Sequence, residues 1–599
     1  MGFQERIRKV GNVETGTDRA GTGKTWKIAP HDVAAVRQLS QSLRVSPMLA
    51  QVLLARDCTT PAAADLFLAK KLSDLHDPEL LPGVTEAADR LVAAIQAGRR
   101  ITIYGDYDVD GMTATSLLWH CLQLAGGKVD YYIPSRLEEG YGLNCEALSQ
   151  LHAEDPTRLV VSVDCGITSV KEAQLCREIG LELIITDHHQ FADDLPAAAV
   201  LVHPRLPGGY PFGDLCGVGV AFKLAWAICA RLGDGKKASP RMREFLLSAI
   251  GLTAIGTIAD VVPLTGENRV IVHYGLGSLL ERSSLGLKAL MQVAGFAEKP
   301  SLQAEDIAFA LAPRINAVGR LGQARLAVEL MTTENAERAV QLANYLDELN
   351  KSRQTVERKI LKQAKELVEQ QAEWQTDAAL VLAHPEWHAG VIGIVAARVA
   401  EHFRKPAILM ALDEKLGLAQ GSGRSFGGFN LHSGLSACRE HLVSYGGHHA
   451  AAGLKMQVDR LELFRRDLVR VVETTLVDNS ALHELLIDAE IRLADVTRQS
   501  VTELERLGPF GAANRRPVFA ATQVELAGSP KKMGEGERHL SLTVKQHGVT
   551  LRGVAWGRGE WADEIAAAGP TISICFQPTI NHFRGQEKVE FQLMDWQPG

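Results

Sequence analysis

The sequence predicts an α/β protein: a doubly wound parallel sheet, joined by a long helix to a second α/β domain and followed by an antiparallel β domain. Three observations carry this. Between Ala87 and about Ala259, short β-branched apolar runs alternate with helical stretches, the pattern of a parallel sheet with helices on both faces. From Thr333 to Trp374 apolar residues recur at helical spacing through a charged stretch lacking glycine and proline. Beyond about Glu484 the chain becomes short alternating strands separated by turn residues. The expected boundaries are 1–75 for a polar segment and helical region, 76–332 for the first α/β domain, and 333–374 for the bridging helix. The second α/β domain follows at 375–480 and the β domain at 481–599.

The elements follow in order. Residues 1 to about 25 read as a polar, mobile segment. "AGTGKTW" (Ala20 to Trp26) holds the Gly-Lys-Thr of a phosphate loop, but Asp18 occupies the position of the required first glycine, so no ATPase is inferred. Val33 to Asp77 is helical. "RITIYGD", "KVDYYIP", "RLVVSVD" and "LELIITD" are strands, with "TATSLLWHCLQLAG" and "VKEAQLCREIG" as intervening helices. Lys351 to Lys365, inside the long helix, carries six basic residues against one acidic residue. Such a run is usually a solvated helix face, and a wall facing nucleic acid is the rarer case. The second α/β unit opens at "DAALVLAHPEWHAGVIGIVAARVAEHF" and has a glycine-rich middle from Gly417 to Gly428. The last strands suit a five-stranded oligonucleotide-binding barrel.

Composition narrows the class. With 46% hydrophobic and 23% charged residues, the chain has the balance of a soluble globular protein. A net charge of −7 says little about partners, because a nucleic-acid binder needs a local basic surface. Nine dispersed cysteines without C-x-x-C pairs argue against a zinc ribbon or a disulfide framework and suit a reducing cytoplasm. Neither a signal peptide nor an unbroken apolar span is visible, so a cytoplasmic, membrane-free protein is expected.

The chemistry concentrates at strand ends. "ITIYGDYDVDGMTAT" places Asp106, Asp108 and Asp110 at alternate positions before Gly111. A calcium loop is disfavoured, since its twelfth position is Leu117 and a strand rather than a helix precedes it. In extended chain the three carboxylates would point the same way and repel unless cations neutralised them. "LVVSVDCGIT" adds Asp164, "LELIITDHHQ" adds Asp187, His188 and His189, and "IGTIADVVPL" adds Asp260. Sites in open α/β sheets form outside the carboxyl ends of the strands, so these groups are expected to converge. Carboxylates with imidazole and no thiolate suit Mn²⁺ or Mg²⁺. An excess of acidic ligands suggests two ions sharing a bridging carboxylate, an arrangement that activates water and stabilises both oxygens in a phosphoryl displacement. The adjacent histidines would point to opposite sides, one to metal while the other serves the substrate or acts as an acid.

"GDYDVDG", "SVDCGIT", "TDHHQ" and "IADVVPL" resemble the four motifs of the DHH phosphoesterase superfamily. "SYGGHHAAAG" resembles its associated-domain motif. "IPSRLEEGYGL", "APRINAVGRLG", "WHAGVIGIVAARVAEHF" and "LERLGPFGAANRRPVF" are similar to segments of the RecJ family of single-stranded-DNA-specific exonucleases, a likeness spanning roughly residues 40 to 599. The resemblance implies a two-metal 5′→3′ exonuclease that degrades single-stranded DNA to mononucleotides in repair and recombination. Its implied metal ligands are Asp108, Asp110, Asp164 as the bridge, His188 and Asp260. Either Tyr104 or Asp106 completes the first motif, with Asp106 favoured because tyrosine ligates Mn²⁺ poorly. Asp187 would orient a histidine, and His189 would contact the scissile phosphate. Arg136, Arg314, Asn316 and Arg320 would bind phosphates, and Ser422, Arg424 and His448 would anchor a terminal 5′ phosphate. A channel between the two α/β domains would exclude duplex, and Lys531, Lys532 and Arg538 are candidate strand contacts. Implied partners are a RecQ-type helicase and a single-stranded-DNA-binding protein, around a monomeric enzyme. The alternatives are a DHH phosphodiesterase for short oligoribonucleotides or cyclic dinucleotides, and a catalytically silent DNA-binding relative. Chain length argues against the first and the filled ligand positions against the second.

Overall fold

The computed structural model describes residues 21–135, 142–191, 193–233, 238–475, 484–583 and 586–599. The chain divides into two compact units. One comprises Ala69–Asn479 with Gly508–Arg515; the other comprises Met1–Leu68, Ser480–Leu507 and Arg516–Gly599. The first and last stretches of chain, set apart in the sequence reading, thus share a unit. Strand β1 (Thr25–Ile28) belongs to that second unit, which is taken up last.

In the larger unit, β2 (Arg100–Tyr104), β3 (Lys128–Tyr132), β4 (Leu159–Val163), β5 (Glu182–Thr186) and β6 (Val200–Val202) form an all-parallel sheet. The order is β3-β2-β4-β5-β6, so the chain reverses direction across the sheet between β2 and β4. That switch opens a crevice at the carboxyl ends of these two strands. β4 is buried along its whole length, which is why it reads as an unbroken apolar run. Alternate residues serve opposite faces. Ile101, Ile103, Val161 and Val163 pack under one set of helices, while Tyr104, Val160, Leu183 and Ile185 pack on the other side with Leu148 and Cys176.

Helices α1 (Val109–Leu124), α2 (Gly217–Arg231) and α3 (Pro240–Ala259) cover the first face, followed by α4 (Gly266–Arg282) and α5 (Ala312–Arg320). α3 is long and apolar enough to cross a membrane by composition, but most of it is buried in this core. Helix α6 (Ala336–Gln370) is shorter than the predicted 333–374. The Asn335 side chain caps it by accepting the Arg338 N–H at 3.0 Å, and Gln371 leaves the helix at φ −122° and ψ 105°. Lys351, Lys359 and Lys362 of its basic run are exposed and each pairs with a carboxylate, as on a solvated helix face, whereas Arg353 is buried and pairs with the buried Glu357 at 2.9 Å.

The second α/β region carries β7 (Leu380–His384), β8 (Ala407–Asp413), β9 (Leu418–Arg424), β10 (Leu442–Gly447) and β11 (Ala451–Gln457), ordered β10-β11-β9-β8-β7. Helix α7 (Ile392–Phe403) makes the crossover between the parallel pair β7 and β8; the remaining pairings are antiparallel. The sheet separates two apolar clusters, one around Phe429 and Phe464 and one around Trp387 and Val395.

In the second unit, β1 pairs in parallel with β12 (Glu484–Ile487). The N–H and hydroxyl of Thr22 and the indole N–H of Trp26 all donate to the buried Asp595 carboxylate, at 2.7–2.9 Å. This corrects the expected mobile segment: from Gly21 onward the chain is pinned to the far end of the sequence. Residues 1–20 lie outside the described residues. The seven-stranded sheet contains β13 (Ala489–Glu490), β14 (Phe519–Leu526), β15 (Lys531–Met533), β16 (His539–Gln546), β17 (Val549–Ala555), β18 (Thr571–Phe583) and β19 (Gln586–Pro598). A further β14–β16 pairing closes β14, β18, β19, β17 and β16 into a ring, so a five-stranded barrel stands with β13 and β15 appended.

Candidate metal centre

Asp106, Asp108 and Asp110 converge, though not by strand alternation as expected. β2 ends at Tyr104, and Asp106 lies buried two residues beyond. Asp108 is the N-cap of α1, its carboxylate accepting the Gly111 N–H at 3.0 Å, and Asp110 occupies the first helical turn. Gly111 allows the tight return, since a Cβ there would lie 2.6 Å from that of Asp106. Tyr104 faces the core, its ring centroid 5.1 Å from that of Tyr132, which leaves Asp106 as the residue of the two that faces the crevice acids.

Asp164 follows β4 with φ +62°, a conformation aspartate tolerates better than most residues, and its N–H donates to the Thr186 carbonyl at 3.0 Å. Asp260 is the C-cap of α3, and His188 follows β5. Donor atoms from Asp106, Asp108 and Asp164 lie within 4.8 Å of one another, as do those from Asp110, His188 and Asp260, and those from Asp164, His188 and His189. His188 Nε2 lies 3.2 Å from Asp164, 3.6 Å from Asp260 and 3.8 Å from Asp110.

The N-terminus of α2, absent from the sequence reading, completes one wall. The N–H groups of Gly217 and Val218 donate to the two oxygens of Asp110 at 2.6 and 2.8 Å. These are helix-end donors with no partner inside the helix, and they fix the carboxylate plane. A Cβ on Gly217 would come within 2.4 Å of Asp164 Oδ1, and one on Gly256 within 2.7 Å of Asp110 Oδ1. "CGVGV" was the available signal: two glycines bracket a valine where a helix begins against the sheet edge.

The charges are crowded. Burial, then repulsion from Asp108, raises Asp110 to about 7. Burial with repulsion from Asp110 and Asp108 raises Asp260 to about 9 and pushes Asp164 well above the carboxylate range. Burial and the neighbouring His189 cation lower His188 to about 3, keeping its ring neutral, the form that ligates metal. His188 Nε2 is buried and makes no hydrogen bond, although it is surrounded by carboxylate oxygens. Acids that cannot all ionise together, beside a neutral imidazole with an unused nitrogen, fit divalent cations in oxygen-rich coordination.

The histidine pair also departs from expectation. Instead of opposing each other, the rings lie 4.4 Å apart, because Asp187 gathers the turn. Its Oδ1 accepts the His188 N–H, the His189 N–H and His189 Nδ1, at 2.7, 3.1 and 2.8 Å, and its Oδ2 accepts the Ile167 N–H at 2.9 Å. Burial would raise Asp187, but the His189 hydrogen bond and charge outweigh it and hold the acid at about 2. Burial likewise opposes a charged His189, and the Asp187 hydrogen bond overcomes it, lifting the imidazole to about 9.

Of the expected phosphate ligands, Arg136 lies outside the described residues. Arg314 donates through Nε to Asp347 at 2.9 Å and through Nη1 to the Ala310 carbonyl at 2.8 Å. Asn316 lies on the same helix α5, and Arg320, at its end, reaches the Gly390 carbonyl just before α7 at 3.3 Å. Gly319 packs on the Tyr107 carbonyl, where a Cβ would stand 2.0 Å away, so the end of α5 abuts the aspartate turn. Ser422 and Arg424 lie on β9, and Arg424 Nη1 donates to Ser422 Oγ at 3.1 Å. His448 lies in the turn between β10 and β11, and the pairing of β11 with β9 brings Ala451 opposite Arg424. Lys532 pairs with Asp563 at 2.7 Å, Arg538 Nε donates to the Glu535 carbonyl at 3.0 Å, and Lys531 is exposed.

Family models match three parts of the chain: the DHH family N-terminal domain at residues 100–250, the DHHA1 domain at 376–474 and the RecJ OB domain at 487–595. The single-stranded-DNA-specific exonuclease RecJ of Escherichia coli K12 is 35% identical, aligning over 85% of this chain and 89% of its own length. The chain belongs to the RecJ family. The RecJ of Bacillus subtilis 168 is 39% identical over 95% of this chain and 70% of its own length. The crystal structure of Thermus thermophilus RecJ in complex with Mn²⁺ superposes with a TM-score of 0.80 at 32% identity, covering 96% of this chain and 79% of that one. Its Mg²⁺ complex gives 0.75 at 30% identity, covering 95% and 78%.

Proposed function

We propose that this RecJ-family protein is a metal-dependent exonuclease that hydrolyses single-stranded DNA from the 5′ end to mononucleotides. The observation that carries the reading is the pair of ligand sets, Asp106/Asp108/Asp164 and Asp110/His188/Asp260, meeting in one crevice. Bound there, two Mn²⁺ or Mg²⁺ ions would supply Lewis acidity towards the phosphate and the attacking water. Asp164 lies close to both His188 and the first set, which supports it as a residue that would serve both ions. The α2 N-terminus keeps Asp110 in one orientation, and the Asp187 carboxylate fixes the His189 ring through Nδ1, which supports His189 as the residue that would donate a proton to the leaving oxygen. Arg320 stands where α5 meets both the aspartate turn and α7, suited to a phosphate between the two α/β regions.

Ser422, Arg424 and the Gly393 end of α7 gather at one point, where a Cβ on Gly393 would lie 2.9 Å from Ser422 Oγ. A helix N-terminus beside a guanidinium suits a terminal phosphate, with His448 as a further donor, and so would set the 5′ polarity. The barrel would hold the strand by phosphate contacts and base stacking. In the cell the enzyme would act as a cytoplasmic monomer on strands opened by a helicase and coated by single-stranded-DNA-binding protein. With Mn²⁺ or Mg²⁺, 5′-phosphorylated single-stranded DNA is expected to yield mononucleotides. Asp164→Ala is expected to lower the rate by about 10³-fold or more while the protein stays folded. Release from the 3′ end, or activity surviving the substitution, contradicts the reading.

A further inference from the structure

Asp187 fixes the amide and the ring of His189, and a second histidine fixes its carbonyl. The ladder between β5 and β6 ends at Thr186 opposite Val202, with one further backbone bond from the Asp187 N–H to the Val202 carbonyl at 3.1 Å. His203, fully buried, comes next. Its Nε2 lies 2.9 Å from the His189 carbonyl oxygen, and its Nδ1 lies 3.0 Å from the Arg205 backbone nitrogen. A backbone amide only donates and a carbonyl only accepts, so both bonds form together only when His203 is neutral with its proton on Nε2. Phe191 stands edge-on against the ring, centroids 4.9 Å apart at 89°, and keeps it in that plane. The His203 side chain thus extends the β5–β6 connection past the last backbone bond and ties it to His189.

We propose that His203 is a positioning residue for His189: its Nε2–H holds the His189 carbonyl and thereby the backbone that aims the His189 ring. The bonds to Asp187 engage the His189 amide and ring, and the bond from His203 adds a hold on the carbonyl. Glutamine at 203 could still place an amide N–H near the His189 carbonyl, whereas phenylalanine keeps a planar ring and has no donor.

The proposal rests on the exonuclease reading, and its test separates the two. On 5′-phosphorylated single-stranded DNA with Mn²⁺, H203F is expected to lower kcat about tenfold or more. KM, Mn²⁺ affinity and Tm should stay near wild type, and H203Q should recover most of the rate. Crystal structures of both variants should show His189 Nδ1 moved off Asp187 in H203F and retained on it in H203Q. A wild-type kcat in H203F overturns the proposal. So does a loss shared equally by both variants with metal affinity and Tm falling alongside, which is the mark of a merely structural residue. If the wild-type protein leaves single-stranded DNA intact, the exonuclease reading fails, and the His189 position in the two crystal structures still decides the role of His203.

Discussion

The crevice of the parallel sheet and the β9 edge of the second α/β region both gather polar side chains, on opposite electrostatic terms. In the crevice, Asp106, Asp110 and Asp164 are buried and mutually repelling, and the orienting bonds to Asp110 come from a helix N-terminus. At β9, the Arg424 guanidinium is partly exposed and bonds to a neighbouring hydroxyl and the Gly423 carbonyl. The first place is short of positive charge and completed by cations. The second carries its own cation and, on the proposed reading, would be completed by an anion. A substrate whose phosphates are held at one place and cut at the other would use both, and substitutions should affect the two differently.

The sharpest break comes from filling the space beside Asp164. Gly217→Ala puts a methyl within 2.4 Å of its carboxylate. It is expected to cost about 1–3 kcal/mol of stability through overpacking and about 10²-fold in kcat through misplaced ligands. Denaturant unfolding and single-turnover hydrolysis on one preparation check both figures. At the other place, Arg424→Ala removes a charge-assisted contact worth about 1.5–3 kcal/mol. KM for 5′-phosphorylated DNA should rise about tenfold or more, kcat should change little, and the preference over 5′-hydroxyl DNA should shrink. A fall in kcat without a change in KM would merge the two places into one.

A smaller effect separates them by pH. In the metal-free protein Asp110 titrates near 7 and Asp260 near 9, both above the ordinary aspartate value of about 4. At these two acids the folded state holds protons that the unfolded chain releases, so their contribution to stability is full below about pH 4 and is lost as pH rises through 7 and 9. Tm of the chelated protein is expected to fall by a few degrees between pH 5 and 9, and Mn²⁺ should restore more at pH 9 than at pH 5. A flat or rising profile without metal would mean that the acids are not crowded.

Much of this was legible in the sequence because the residues stand at punctuated strand ends. "LVVSVD" and "LELIITD" announce buried parallel strands, and the acids that follow them can only lie at the carboxyl edge. Spacing was less informative about local geometry. Asp106, Asp108 and Asp110 look like an extended alternation, yet Asp108 caps a helix that Asp110 has already entered, because its side chain competes successfully for the Gly111 N–H. The long-range pairings were not legible: "CGVGV" marks a helix start but does not say what meets it. Nothing near Asp110 indicates that its carboxylate meets Gly217 and Val218, and nothing near His189 indicates His203. Pairing at the chain ends was hidden for the same reason. A polar stretch such as Gly21 to Trp26 reads as loose until Asp595, more than five hundred residues later, is brought beside it.

The central claim is that six side chains at the β2–β4 switch hold two cations. Anomalous diffraction at the manganese edge from crystals grown with Mn²⁺ tests it most directly. The account predicts two peaks in the crevice, one bounded by Asp106, Asp108 and Asp164 and one by Asp110, His188 and Asp260, with both weakened in Asp164→Asn. A single peak, or manganese bound away from Asp164, would contradict it.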